Sequence, residues 1–449
     1  MDNKSLCAAF ILLFSLSLFA GGKYEAADTY LKAGDFELAA KEYLSILKED
    51  ESAAMSKDIR ALTGAFISHY MLQDYKKSFA FCRRVLNIDK YNSPAILYAG
   101  LNLGALGKTD IAKKLFKYHT VLPVTDPYRP FIKARYEFLI ERDLEKLIRK
   151  TVQLEAHINT QKIPENSVAV LYLVNDSQNE TWDPLGKGVA DFIISDLKKV
   201  RSLNVVSRRH LQILLNELNF GILDLLDENL APRLGRLLNS RFIINGTFYI
   251  EPQNQITLNV GFLDIREPEK IEYTEYKGKT SDIFEFQKQI VGDILQRMFA
   301  EVTGSEQDEI SKHQTTNFDA FQAYSNGLDA FDFGTLSSAY AYFKNAHEID
   351  PRFFNAWDMM QMVDAMILLN NGNLAINHFE IYNNKLKPVT SGFVTSIPIE
   401  QIRLQKVSIN LDLGYFPGNG ARNSAGDIDF SKIPMNMEML DEPPPPPGN

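Results

Sequence analysis

The sequence predicts an α/β domain carried between two all-α arrays of helical repeats. Three observations predict it. Residues 24–122 repeat a helix–turn–helix pattern. Residues 166–303 alternate apolar runs with amphipathic stretches and then give a run of strands. The helical pattern returns after residue 317. Alternation followed by a meander implies a mixed sheet with helices packed against it.

The bulk numbers are compatible with two or three domains: 449 residues, 45% hydrophobic and 23% charged. A formal net charge of -9 argues against nucleic acid as a partner, because phosphate contacts need clustered Lys and Arg. Residues 1–22 read as a secretory signal. Lys4 is followed by an uncharged apolar run, Leu6 to Phe19, and then by small residues Ala20, Gly21 and Gly22. Cleavage is expected after Gly22. The run is shorter than the roughly 20 residues that span a bilayer, and retention as an anchor helix is the alternative. Cys7 lies inside the signal and too early for a lipid-bearing cysteine, so there is no lipobox. Cys82 is then alone in the mature chain, and packing rather than a disulfide must stabilise the fold.

Residues 23–122 hold the first array. Tyr30, Gly34, Ala39, Tyr43 and Ile46 recur at the same offsets as His69, Gln73, Ser78, Cys82 and Val85. They recur again as Leu103, Gly107, Ala112, Phe116 and His119. The distances are 39 and 34 residues. A small residue (Ala39, Ser78, Ala112) lets two helices approach, and a larger one a turn later (Tyr43, Phe116) fills the gap. Each unit is too small to bury its apolar face alone, so the units must stack. The pattern resembles the tetratricopeptide repeat, TPR. That resemblance implies a concave groove for a peptide or partner helix, lined by Asp28, Lys32, Ile67, Tyr70, Met71 and Leu101.

Residues 123–162 form a helical connector, with Phe131, Tyr136, Leu139, Ile140, Leu144, Leu147 and Ile148 at helical spacing. The α/β domain occupies 163–304. "SVAVLYLV" is a continuous apolar run, as in a strand buried on both faces. Asp183 is expected to cap the next helix with Pro184 at its first position. "LNVV" is a short strand. Ser207 caps "RRHLQILLNEL", and Asn229 caps "NLAPRLGRLL", with Pro232 in its first turn. Asn239 suits the left-handed stop after that helix. Strands follow from Phe242 to Ile250, in "NQITLNVGFLDI" and in "KIEYTEYKG", and "DIFEFQKQIVGDILQRMFAEV" closes the domain as a helix. Gly246 within a strand marks a bulge or a close backbone approach, and it reads as framework rather than as the floor of an active site.

The second array spans 317–385, with Gly327, Ala330, Ala339, Phe343, Ala346 and Pro351 as the closest match to the repeat pattern in the chain. A short ordered extension is expected over 386–415. A disordered Pro-rich tail, 416–449, ends in "DEPPPPPGN".

Asn175, Leu185-Gly186, Gly188, Asp196, Val205-Val206, Arg208, Leu211, Leu234-Gly235, Leu237-Leu238 and Gly246 carry a second resemblance. Residues 166–303 resemble the CsgG family of curli assembly and secretion proteins, and the related FlgO and TolB amino-terminal domains of the bacterial envelope. Tyr172-Leu173 replaces the family's usual Pro-Phe, the anchoring cysteine is absent, and no long membrane strands are evident. The resemblance implies a periplasmic protein, with peripheral outer-membrane association and homo-oligomerisation as open expectations.

Chemistry is sparse. "GKG" at Gly186 to Gly188 opens a helix as phosphate loops do, but lacks a third glycine and a Lys-Ser/Thr pair. Close packing is the preferred reason. The seven histidines show no metal-ligand spacing. Lys198, Lys199, Arg201, Arg208 and Arg209 form a basic stretch, read as a solvated face or as a contact for an acidic partner or lipid headgroups. No catalytic, cofactor-binding or metal-binding residue is singled out. The expected function is therefore a non-enzymatic envelope scaffold or adaptor that binds protein partners through the repeat grooves and docks via the CsgG-like domain. A ring-forming secretion component and a nucleotide-responsive regulator or enzyme are the rivals.

Overall fold

The structure of the protein, a computed structural model, describes residues 22–49, 58–177, 179–227, 229–372, 374, 375, 377, 378 and 381. The signal up to residue 21, the extension at 386–415 and the tail at 416–449 lie outside the described residues. The described residues divide into two compact units: one runs to Leu139 and resumes at Ala365, and the other is Ile140–Asp364.

Among the described residues, the first unit holds three antiparallel helix hairpins. These are α1 (Glu25–Ala33) with α2 (Phe36–Glu49), α3 (Ile59–Met71) with α4 (Tyr75–Ile88), and α5 (Ser93–Ala105) with α6 (Thr109–Phe116). Each hairpin turns at the same sequence offset. Gly34, Gln73 and Gly107 stand there in the left-handed region, with φ of 82°, 60° and 75°. Asp58, Asp74 and Asn92 cap the helices that follow them by accepting a backbone N–H. The small residues Ala39, Ser78 and Ala112 are fully buried. Large rings fill the space left by glycines: a Cβ on Gly64 would come within 2.1 Å of the Tyr43 ring, and one on Gly100 within 2.2 Å of the Phe116 ring. A long helix, α7 (Arg129–Gln153), follows.

The second unit holds a mixed sheet in the order β3-β1-β4-β5-β6, with β2 also pairing with β4. Its strands are β1 (Ser167–Val170), β2 (Val174–Asn175), β3 (Asn204–Val205), β4 (Phe242–Glu251), β5 (Gln255–Asp264) and β6 (Ile271–Lys279). β1, β2 and β3 run parallel to their partners, whereas β4, β5 and β6 form the antiparallel meander. The run "SVAVLYLV" is therefore two strands. Val170 pairs with Ile244 and Val174 with Thr247, so Leu171, Tyr172 and Leu173 face only Asn245 and Gly246. This is a bulge. Gly246 lies at it, and a Cβ there would meet the Asn259 carbonyl oxygen at 2.1 Å.

Helices cover both faces of the sheet. Gly235 of α10 (Leu230–Leu237) rests on Ile243 and Ile265 on one face. On the other, α11 (Ile283–Arg297) brings Phe286 to Tyr276, with ring centroids 6.0 Å apart. Beside α11 lies α8 (Leu185–Leu197). A Cβ on Gly186 would come within 1.9 Å of the Leu173 carbonyl oxygen, so this glycine sets the close approach of α8 to the sheet. α8 starts at Leu185, later than Asp183 would suggest, because the Asp183 carboxylate accepts from the Asn175 side chain at 2.7 Å instead of capping. Ser207 does cap α9 (Arg208–Leu218). Asn229 precedes α10 without a side-chain cap bond, its amide donating to Asp227. Asn239 ends that helix with φ 53°.

After α12 (Gly304–Ser311), the hairpin of α13 (Phe318–Asp332) and α14 (Leu336–Ile349) belongs to this same compact unit, and α15 (Phe354–Asn370) follows. Gly334 makes its turn with φ 75°, and Gly327 receives the Phe343 ring, repeating the device of the first unit. The hairpin docks on α8 through Phe192, whose ring meets that of Phe321 at a tilt with centroids 4.9 Å apart; Phe353, just past the hairpin, meets it edge-on at 5.8 Å. Gly188 faces Phe321 and Ser325 with no room for a side chain. Both glycines of "GKG" are thus packing residues. Among the described residues no helix is long and apolar enough to cross a membrane.

Candidate functional site

The groove positions inferred from the repeat pattern do not share one open surface. Ile67 and Leu101 are buried, at 0% and 5% exposure. The reason lies in their helices: 61–69 of α3 and 93–103 of α5 are buried throughout. A helix that is apolar or small on every side is surrounded, whereas a groove-lining helix keeps one polar face. Asp28 is also buried, and its carboxylate accepts from the Tyr43 hydroxyl at 2.6 Å and from Arg60 at 2.5 Å. Burial, reinforced by that bond to Asp28, pushes the Tyr43 hydroxyl well above its ordinary pKa. Tyr70 is half-buried and meets Tyr98 edge-on at 5.3 Å, Met71 is half-buried, and Lys32 is exposed. His378 lies in the same unit, its ring nitrogen Nδ1 against the Tyr128 hydroxyl. Burial lowers its pKa to about 4, with the charge of Asp28 pulling the other way.

The basic stretch divides into two parts. Lys198 and Arg201 are exposed at the end of α8. Lys199 turns to its own helix, donating to Asp196 at 2.7 Å and to the Glu309 carbonyl at 2.8 Å. Arg208 is buried, at 6% exposure, and is ion-paired with Asp332 and, at 3.4 Å, with Asp191. Arg209 reaches Asp332 at 3.2 Å and also Glu141. The sequence left these two arginines as a solvated face or a contact for an acidic partner or lipid headgroups; Asp332 of the chain's own α13 pairs with both.

Lys187 completes the cluster. It is buried, and its ammonium is 2.8 Å from Asp329 and 3.2 Å from Asp332. Burial alone would raise the Asp332 carboxyl, but Arg208, Lys187 and Arg209 outweigh it and hold it well below the usual carboxylate range. Burial likewise works against the charge of Lys187, and Asp332 and Asp329 overcome it, raising its pKa. Burial and then Asp332 push the neighbouring Tyr172 hydroxyl up to about 12. The ammonium of Lys187 is paired with Asp329 and Asp332 and both flanking glycines are closely packed, so "GKG" has no room for a nucleotide phosphate. The cluster joins the α/β domain to the hairpin. The signal for it was present in "GLDAFDFG", where Asp329 and Asp332 interrupt an apolar helix.

A second buried carboxylate, Asp196, ties α8 to α11. It accepts from Gln287 at 2.8 Å and Lys288 at 2.6 Å as well as from Lys199. Lys288 also donates to the carbonyls of Ile310 and Lys312 at 2.6 and 2.7 Å. A cleft of about 240 Å³ beside it, between α11 and α12, is lined by Glu285, Gln307 and His313 among others. Since Lys288 spends its three protons on these internal acceptors, it belongs to the framework. No group of three His, Cys, Asp or Glu able to hold a metal ion occurs among the described residues.

Comparison with known proteins bears on the second unit. Neither characterised proteins nor solved structures give a match. Residues 147–250 match the family described as curli production assembly/transport component CsgG. The match starts within α7 and ends in β4, so it takes in the parallel half of the sheet, α8, Arg208 and the bulge at Gly246. Over residues 147–250 the chain is thus similar to the CsgG family.

Proposed function

We propose that the protein is a non-enzymatic adaptor of the cell envelope, located in the periplasm and serving the assembly or secretion of a surface structure. The match over residues 147–250 to a family named for curli production assembly and transport supports the general role. The closed ion cluster of Lys187, Arg208, Arg209 and Asp332 is the observation that carries the adaptor reading. Its charges are spent on fixing a helical hairpin to the CsgG-like domain, which leaves none of those side chains for chemistry. Protein partners are then met by outer faces, among them the exposed Lys198 and Arg201 at the end of α8, rather than by Ile67 and Leu101.

Cross-linking of the full chain in envelope fractions tests this. Capture of envelope assembly proteins, reduced by Lys198→Glu with Arg201→Glu, is the expected result. Turnover of a small compound by the purified chain, abolished by one substitution in the CsgG-like domain, would overturn it.

A further inference from the structure

Phe299 stands just past the end of α11 in the left-handed region, with φ 51°. The stop itself is ordinary: the Phe299 and Ala300 N–H groups donate to the carbonyls of Gln296 and Leu295 at 3.1 and 3.0 Å. The residue is not. That place is usually held by Gly, because a Cβ is crowded there. A bulky ring in this conformation is strained, and packing within the chain does not offset the strain, since Phe299 is 92% exposed.

Gly292 lies two turns back on the same helix, about 10 Å away. Gly in a helix interior costs stability relative to Ala. Close packing usually explains such a residue, as it does at Gly186 and Gly188. Here it does not: Gly292 is exposed, and its Cβ would have no neighbour within 4 Å. Instead it opens the wall of the cleft between α11 and α12, where Leu295 and Ile310 are buried apolar lining. An apolar cavity of roughly 150 Å³ accepts a benzene ring. This cleft holds about 240 Å³. Between Phe286 and Phe299 the exposed positions of the helix are Gln289, Gly292 and Gln296, none of them charged. A stripe without charge can be covered without stranding an ion.

We infer that α11 is a self-association surface: two copies of the chain meet antiparallel about a two-fold axis beside Leu295 and Gln296, and the Phe299 ring of each fills the cleft at Gly292 of the other. The ring and the cleft sit on one helix, so a single rotation satisfies both at once. The contact is isologous and closes at two copies. Two phenyl rings and the walls they cover remove roughly 600–1,000 Å² from water, the low end for a specific interface. The dimer is therefore weak, with a dissociation constant on the order of micromolar.

The test is sedimentation of the full chain over a concentration series, with thermal melts alongside. Phe299→Gly puts the favoured residue at the left-handed stop, so it should not lower the melting temperature while it weakens association by roughly tenfold or more. Gly292→Leu favours the helix and fills the cleft from within, and should block association with the fold retained. In an equimolar mixture the ring of the second variant meets the open cleft of the first. Mixed pairs should then form more readily than either variant pairs with itself, which a merely structural defect would not produce. A chain that stays monomeric throughout would overturn the inference and leave the cleft to a small apolar ligand. So would a dimer indifferent to Phe299→Gly, or a mixture that recovers nothing.

Discussion

The carboxylate of Asp332 on α13 stands 3.2 Å from the ammonium of Lys187 on α8. Removing the carboxylate leaves Lys187 and Arg208 buried without their main counter-charge. Breaking such a pair from one side costs about 3–5 kcal/mol, because the orphaned charge stays buried. Asp332→Ala should lower the melting temperature of the Ile140–Asp364 unit by that equivalent, measured by calorimetry.

The same carboxylate sets an acid response. Its folded pKa is depressed, so its contribution is full above the unfolded Asp value of about 4 and is lost as pH falls below that. Urea titrations at stepwise lower pH should show the wild type losing stability in this range. Asp332→Asn should lack that share of the slope.

His378 acts in the first unit. Its folded pKa, about 4, lies below the ordinary His value of about 6.5, so the folded state favours the neutral ring. The stability tied to neutrality is full above about 6.5 and falls away as pH drops toward about 4, a span worth on the order of 3 kcal/mol. The difference between wild type and His378→Gln, followed by thermal melts across that range, should shrink toward the acid end.

Ile67 tests the corrected reading of the repeats. On a groove floor, Ile67→Asp would spare the fold and cost only partner binding. In a helix buried on all sides, an unpaired carboxylate costs several kcal/mol. Loss of the helical circular dichroism signal at ordinary temperature is the expected result.

Gly327 tests the ring-on-glycine packing. A Cβ there would sit 2.6 Å from the Phe343 ring. Gly327→Ala should destabilise by about 1–3 kcal/mol, as overpacking does. Phe343→Leu in the same chain should recover part of that loss, and the coupling is read from the double-mutant cycle.

What the sequence made legible was local. Ser207 caps its helix and Asn239 stops another because both act within a few residues of themselves. Ala39, Ser78 and Ala112 announce close helix contacts because the repeat places them at one offset. The split of "SVAVLYLV" was hidden, since the bulge depends on β4 supplying Asn245 and Gly246 against three residues. The fate of Arg208 was hidden too, since its partner Asp332 lies far along the chain and only the docking of α13 brings them together. The burial of Ile67 and Leu101 was visible in principle: their helices carry small or apolar residues all round, a stronger signal than the family pattern from which a groove was inferred.

The union of α8 with α13 has an evolutionary corollary. A recombination breakpoint between Ser311 and Phe318 would give one descendant with Phe192 bared and cations stranded in oil, and another with an acidic stub. Lineages that shuffle this module should therefore inherit the downstream hairpin with it, or exchange Lys187, Arg208 and Phe192 together when they lose it.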